Sequence, residues 1–242
     1  MLTAQQHGLQ IDDLSLLATA DLNRLLISLE GSGPDRVRDT LLEVMPELMV
    51  PYITASGELS AVWYEDLREA AVGGSFTAVT AGDVAPERVD ALVRWGVKPL
   101  YGQSDSTVLS LLGGGLQRII AGADRSTIAA NAQKDVVSTS WARVARPGAC
   151  KWCLMLAGRG DVYRSADAAG MVIGAGVDPS KTAGKRGGQG KGVKARGKGR
   201  RDVGSVDFHD FCRCRAEPTF YRIGAWKNPR TGREEKALIP IK

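Results

Sequence analysis

All four cysteines and one of the two histidines of this 242-residue chain fall in two short segments, Cys150-Lys151-Trp152-Cys153 and His209-Asp210-Phe211-Cys212-Arg213-Cys214. Two thiols three residues apart can grip one ion from a tight turn, and a His-x-x-Cys run can supply two more donors. Together they make the closed, four-coordinate site that structural Zn2+ prefers. Five donors compete for four positions: Cys150, Cys153, His209, Cys212 and Cys214. Cys212 and Cys214 are two apart, and on an extended strand they point to opposite faces, so one of them is the expected spare. A catalytic zinc would need an open position beside a general base, and neither segment clearly supplies one. The even cysteine count also allows two disulfides. Residues Met1 to Gln10 show neither the basic start nor the apolar core of a secretion signal, which favours reduced thiols and metal over disulfides.

A second chemistry lies between those segments. Lys181, Lys185, Arg186, Lys191, Lys194, Arg196, Lys198, Arg200 and Arg201 stand in a glycine-rich run with no acidic residue. The chain carries +5 overall, so taking these nine cations away leaves −4 for the remainder. The basic character therefore belongs to one insert, at about 174–204. No Gly-x-x-x-x-Gly-Lys-Ser/Thr register fits it, which removes the phosphate-loop reading. A cationic loop touching DNA phosphates without reading bases fits better, and a solvated linker with no partner is the plainer alternative. The lack of interleaved aromatics argues against stacking on single strands. Enzyme constellations are thin: a zinc deaminase needs His-x-Glu, which is absent, and a Ser-His-Asp arrangement would have only His7 or His209 to use. Trp63, Tyr64 and Trp141 read as core anchors rather than ligand platforms.

The elements that must hold these groups read as helices first. Hydrophobic content of 43% with 24% charged residues is that of an ordinary globular chain, and no apolar run is long enough to cross a bilayer. Leucines at 14, 17, 22, 25, 26 and 29 predict an amphipathic helix over 12–30, capped by Asp12 or Asp13 and stopped by Gly31. Pro34 opens a second helix that Pro46 and Pro51 end or kink; Ser56 caps a third, closed by Gly73-Gly74. A loop over 73–83, a short helix from Pro86 to Gly96 and a helix over 105–121 follow, the last bent or broken at Gly113-Gly114-Gly115. A further helix is predicted over 126–144. Beyond Arg146-Pro147-Gly148 the pattern turns to a short helix and a strand, then the insert, then a strand over 216–221 and a polar tail over 226–242. The expectation is a mainly α chain: a helical region over 1–145, then a small zinc-stapled α+β module over 146–242.

Four stretches resemble one family. They are Trp63-Tyr64-Glu65-Asp66-Leu67-Arg68; Ser140-Trp141-Ala142-Arg143-Val144-Ala145; Cys150 to Cys153 with Arg159-Gly160-Asp161-Val162-Tyr163; and Phe208 to Cys214 with Glu217-Pro218. In that order they resemble the MuF-like minor capsid (head morphogenesis) proteins of tailed bacteriophages, in the branch common among phages of actinobacteria, over roughly 58–222. The basic insert is longer than that pattern has. The resemblance implies a structural virion protein inside the head, docked on the portal protein or on the major capsid or scaffolding protein, near double-stranded DNA and away from membranes. The alternatives are a capsid maturation protease and a free zinc-stapled DNA-binding protein.

Overall fold

The computed structural model describes residues 2–137, 139–146, 149, 153–154, 157–158, 160–161, 214–230 and 232–241, without the Trp226 side chain. Among them are four α-helices, α1 (Ala4–Ser28), α2 (Pro34–Val72), α3 (Pro86–Gly96) and α4 (Val108–Lys134), with a 3-10 turn at Lys98–Tyr101. Three strands, β1 (Thr139–Val144), β2 (Arg215–Lys227) and β3 (Glu234–Pro240), form an antiparallel sheet in the order β1-β2-β3. Among the described residues the fold is mainly helical with a small antiparallel sheet, and the mainly α expectation holds for them.

α1 begins eight residues earlier than its leucine pattern suggests. Thr3 caps it in a reciprocal capping box with Gln6, so the turn that carries His7 and Gly8 is helical too. Ile11, Ala18 and Leu22 form its buried stripe; Leu17, expected inside, is 56% exposed. The second and third predicted helices are one. α2 runs through Pro46 and Pro51, each of which removes a backbone donor. The helix survives because Leu41, Met45 and Met49 stay fully packed on both sides of Pro46. Ser56 is not a cap: it is buried, and its hydroxyl donates to the Ile120 carbonyl at 2.8 Å.

α4 also runs unbroken through Gly113-Gly114-Gly115. The local cost of glycine in a helix is about 1 kcal/mol each, but these positions lie where neighbours come close. A Cβ at Gly115 would stand 2.2 Å from Leu92 Cδ1, and one at Gly96 2.2 Å from Leu112 Cδ2. Close approach of α3 and α4 is what the missing side chains allow. α4 then ends at Lys134, and 139–144 is β1, not the end of a helix. Thr139, Ser140, Trp141, Arg143 and Val144 are β-branched, aromatic or polar, and Trp141 is buried against α2 and α4.

The predicted loop after Gly73 is held along α4 by side chains that imitate a strand. Asn131 accepts from Val79 N at 2.9 Å and donates to Val79 O at 2.8 Å, and Thr127 Oγ1 does the same for Ala81. The inner face of the sheet completes a second core, in which Trp141, Ala216 and Phe220 pack on Trp63, Tyr64 and Ile128. The expected polar tail is instead a hairpin: β2 continues to Lys227, and β3 returns through the Asn228-to-Arg233 turn.

Candidate metal centre

The register of β1 and β2 decides where the two cysteine segments meet. β1 pairs with β2 from Thr139↔Phe220 to Val144↔Arg215. The chain leaves β1 at Val144 toward Cys150, and it enters β2 at Arg215 from Cys214. Because the strands are antiparallel, both segments attach at the same end of the sheet, though 60 residues separate Cys153 from Cys214. Six residues link Val144 to Cys150, a reach of at most about 20 Å. The sheet thereby brings together what the sequence holds apart.

At that end Cys153 and Cys214 share one buried cluster, each 3% exposed, with Ala145 and Ala149 packed against them. Several contacts fasten the corner. Arg125, buried on α4, donates to the Cys214 carbonyl at 3.1 Å and to the Arg118 carbonyl at 3.2 Å. Arg215 reaches to the Ala4 carbonyl at 2.6 Å, crossing α1 where Gly8 has no side chain to block it. On the other segment, Gly158 N bonds to Leu154 O at 2.9 Å and Gly160 turns left-handed. Asp161 then ties this segment back to the sheet near its other end, at Ser140 and Tyr221. Its carbonyl accepts from Ser140 Oγ at 2.6 Å, and its carboxylate takes a short bond from Tyr221 Oη. Ser140, Tyr221, Asp161 and Arg125 are thus positioning residues for the two cysteine segments. Ser140 and Asp161 stood out only as members of the family-resembling stretches, and the convergence of the four was not legible.

Cys153 and Cys214, two thiols behind small apolar side chains and away from water, are donors of the soft type that structural Zn2+ takes. Cys150, His209 and Cys212 lie outside the described residues, as do all nine cations from Lys181 to Arg201. Among the described residues no group of three or more Cys, His, Asp or Glu gathers closely enough to hold a metal. Nor does any described helix have the length and apolarity to cross a membrane.

The other histidine has a different place. His7 is fully buried, with Nε2 2.7 Å from Asp124 Oδ1 and its ring stacked at 4.3 Å and 9° on Trp63. The Ser60 hydroxyl lies 2.7 Å from the same carboxylate oxygen. Serine and histidine both address the aspartate and not each other, so the trio joins three helices rather than activating a nucleophile. Trp63 and Tyr64, 2% and 0% exposed, are core anchors as the sequence suggests.

The family model of the VG15 proteins, a viral gene family, matches residues 2–232, a span that includes both cysteine segments and the basic insert. No curated protein and no solved structure matches the chain. The chain belongs to the VG15 protein family.

Proposed function

We propose that this protein is a MuF-like minor capsid protein of a tailed phage, which docks on the portal or inner capsid during head assembly. Its two cysteine segments are held by a structural Zn2+ drawn from Cys150, Cys153, His209, Cys212 and Cys214. Its insert, Lys181 to Arg201, neutralises phosphates of packaged DNA. The observation that carries the reading is the burial of Cys153 and Cys214 in one cluster at the shared end of β1 and β2. Membership of a viral family over almost the whole chain supports the phage setting. His7, sealed in the core, is not placed to serve as the exposed histidine base of the protease alternative.

Isolation of portal complexes and mature heads from infected cells tests this. The protein is expected in both, with about one zinc per chain. Deleting 181–201 from the purified protein should flatten the dependence of DNA binding on salt, by about 0.9 in log–log slope for each phosphate no longer neutralised. Absence from heads, or cleavage of the major capsid protein by this chain, would overturn the reading.

A further inference from the structure

β2 outruns β1, and the excess leaves the body of the protein. Its ladder with β1 stops at Phe220, and its ladder with β3 covers Tyr221↔Pro240 to Lys227↔Glu234 on the opposite edge. Residues 221–227 and 234–240 therefore make a two-stranded ribbon, about 20 Å long at roughly 3.3 Å per residue. Neither outer edge of this ribbon carries another strand among the described residues.

The ribbon is built, yet it buries little. Asn228 organises the turn: its N–H donates to Arg233 O at 2.9 Å, its Oδ1 accepts from Arg230 N at 2.9 Å, and its Nδ2 donates to Glu235 at 2.9 Å. Ile239 lies flat across the strand over Gly224, where a Cβ would meet its Cδ1 at 2.4 Å. Directly opposite residues share a face, and on one face Ile223, 74% exposed, faces Leu238, 38% exposed. A lone two-stranded ribbon is marginal in water, and a third strand or an apolar cover is what stabilises one. Its charge is one-sided: Arg222, Lys227, Arg230, Arg233 and Lys236 against Glu234 and Glu235, a net +3.

We propose that this ribbon is a docking arm that takes an extended acidic and apolar segment of another protein as an added strand along an open edge. The backbone groups of the edge supply the pairing, Ile223 and Leu238 supply the apolar face, and the cations select the acidic partner. A second copy of the chain is disfavoured, because its ribbon brings the same positive charge. Duplex DNA would meet the cations but gain little from the exposed Ile223–Leu238 pair. The inference requires neither the metal nor the insert, so it stands or falls apart from the function proposed above.

Titration of the isotopically labelled full chain with a synthetic peptide of alternating Glu and Val tests it. Amide shifts and slowed hydrogen exchange are expected at 222–227 or 235–239, weakening with salt, while a Lys/Val peptide leaves the ribbon unchanged. Ile223→Thr with Leu238→Thr keeps strand propensity and should lower the affinity at least about tenfold. Lys227→Glu with Lys236→Glu leaves the apolar pair and should exchange the preference to the Lys/Val peptide, an outcome that an unfolded ribbon could not produce. The proposal is overturned by no response at the ribbon or by equal binding of both peptides. It is overturned equally by tighter binding of a short DNA duplex at the same amides, or by concentration-dependent shifts there without peptide, which would assign the ribbon to DNA or to a second copy.

Discussion

Asp124 shows how much of this fold rests on single polar groups. Its carboxylate, 1% exposed, receives His7 from α1 and Ser60 from α2, and the imidazole stacks on Trp63. Removing one partner from a buried, hydrogen-bonded set leaves the others desolvated and unsatisfied. Asp124→Ala is expected to lower stability by about 3–5 kcal/mol, against about 1 kcal/mol for Ser60→Ala, both read from urea unfolding. Glu217, half-buried on β2, behaves differently: burial raises its carboxyl above the usual range, and Arg215 only partly opposes this. A folded-state value above the unfolded one means the native protein holds this proton more tightly. The resulting stabilisation is present at pH below the ordinary glutamate value and is lost as pH rises through the raised one. Glu217→Gln should therefore melt above the parent at neutral pH, with the gain shrinking on acidification toward that ordinary value. Thermal melts across pH check it, and a pH-independent difference would remove the explanation. Nothing in the sequence marks the burial of Asp124 or Glu217, since burial depends on neighbours far along the chain.

At the scale of elements, local rules gave the helices and misplaced their ends. Pro46 and Pro51 read as an end or a kink, and three glycines in α4 read as a bend or a break, because each has a real local cost. Packing on both sides outweighs that cost, and packing cannot be summed from a window of sequence. Gly82 is the opposite case, where local conformation and packing agree. Its φ is +118°, and a Cβ would stand 2.5 Å from Ala123 Cα, part of the α4 backbone, which has no room to yield. Gly82→Ala should lower stability by about 2 kcal/mol or more, from strain and overpacking together. Unchanged urea unfolding would show that the 73–85 segment lifts away from α4 at little cost. The hairpin ending in β3 was legible in principle: Asn228-Pro229-Arg230-Thr231-Gly232 is a turn signature, and Gly232 does adopt a positive φ. Its charged, exposed strands hid it, since they lack the alternation of a half-buried strand.

For the whole molecule, the helices and the sheet end are held by different means. α1, α2, α3 and α4 close an aliphatic core, whereas the end of the sheet at Val144 and Arg215 rests on Arg125, Arg215 and the buried thiols. On the zinc reading, chelation should loosen that end alone. Amides of 139–144 and 215–220 would then exchange faster while those of α2 and α4 keep their protection, and equal protection throughout would dismiss the staple. The sequence by itself determined the chemistry available: clustered soft donors, one block of cations, apolar stripes with helical period. Those depend on residue type and short-range spacing, which a chain carries with it. Tertiary structure alone decided that Cys153 and Cys214 meet, that His7 is sealed beside Asp124, and that β2 projects beyond the body. Each of these follows from strand register and helix packing between segments tens of residues apart, where no local preference specifies the partner.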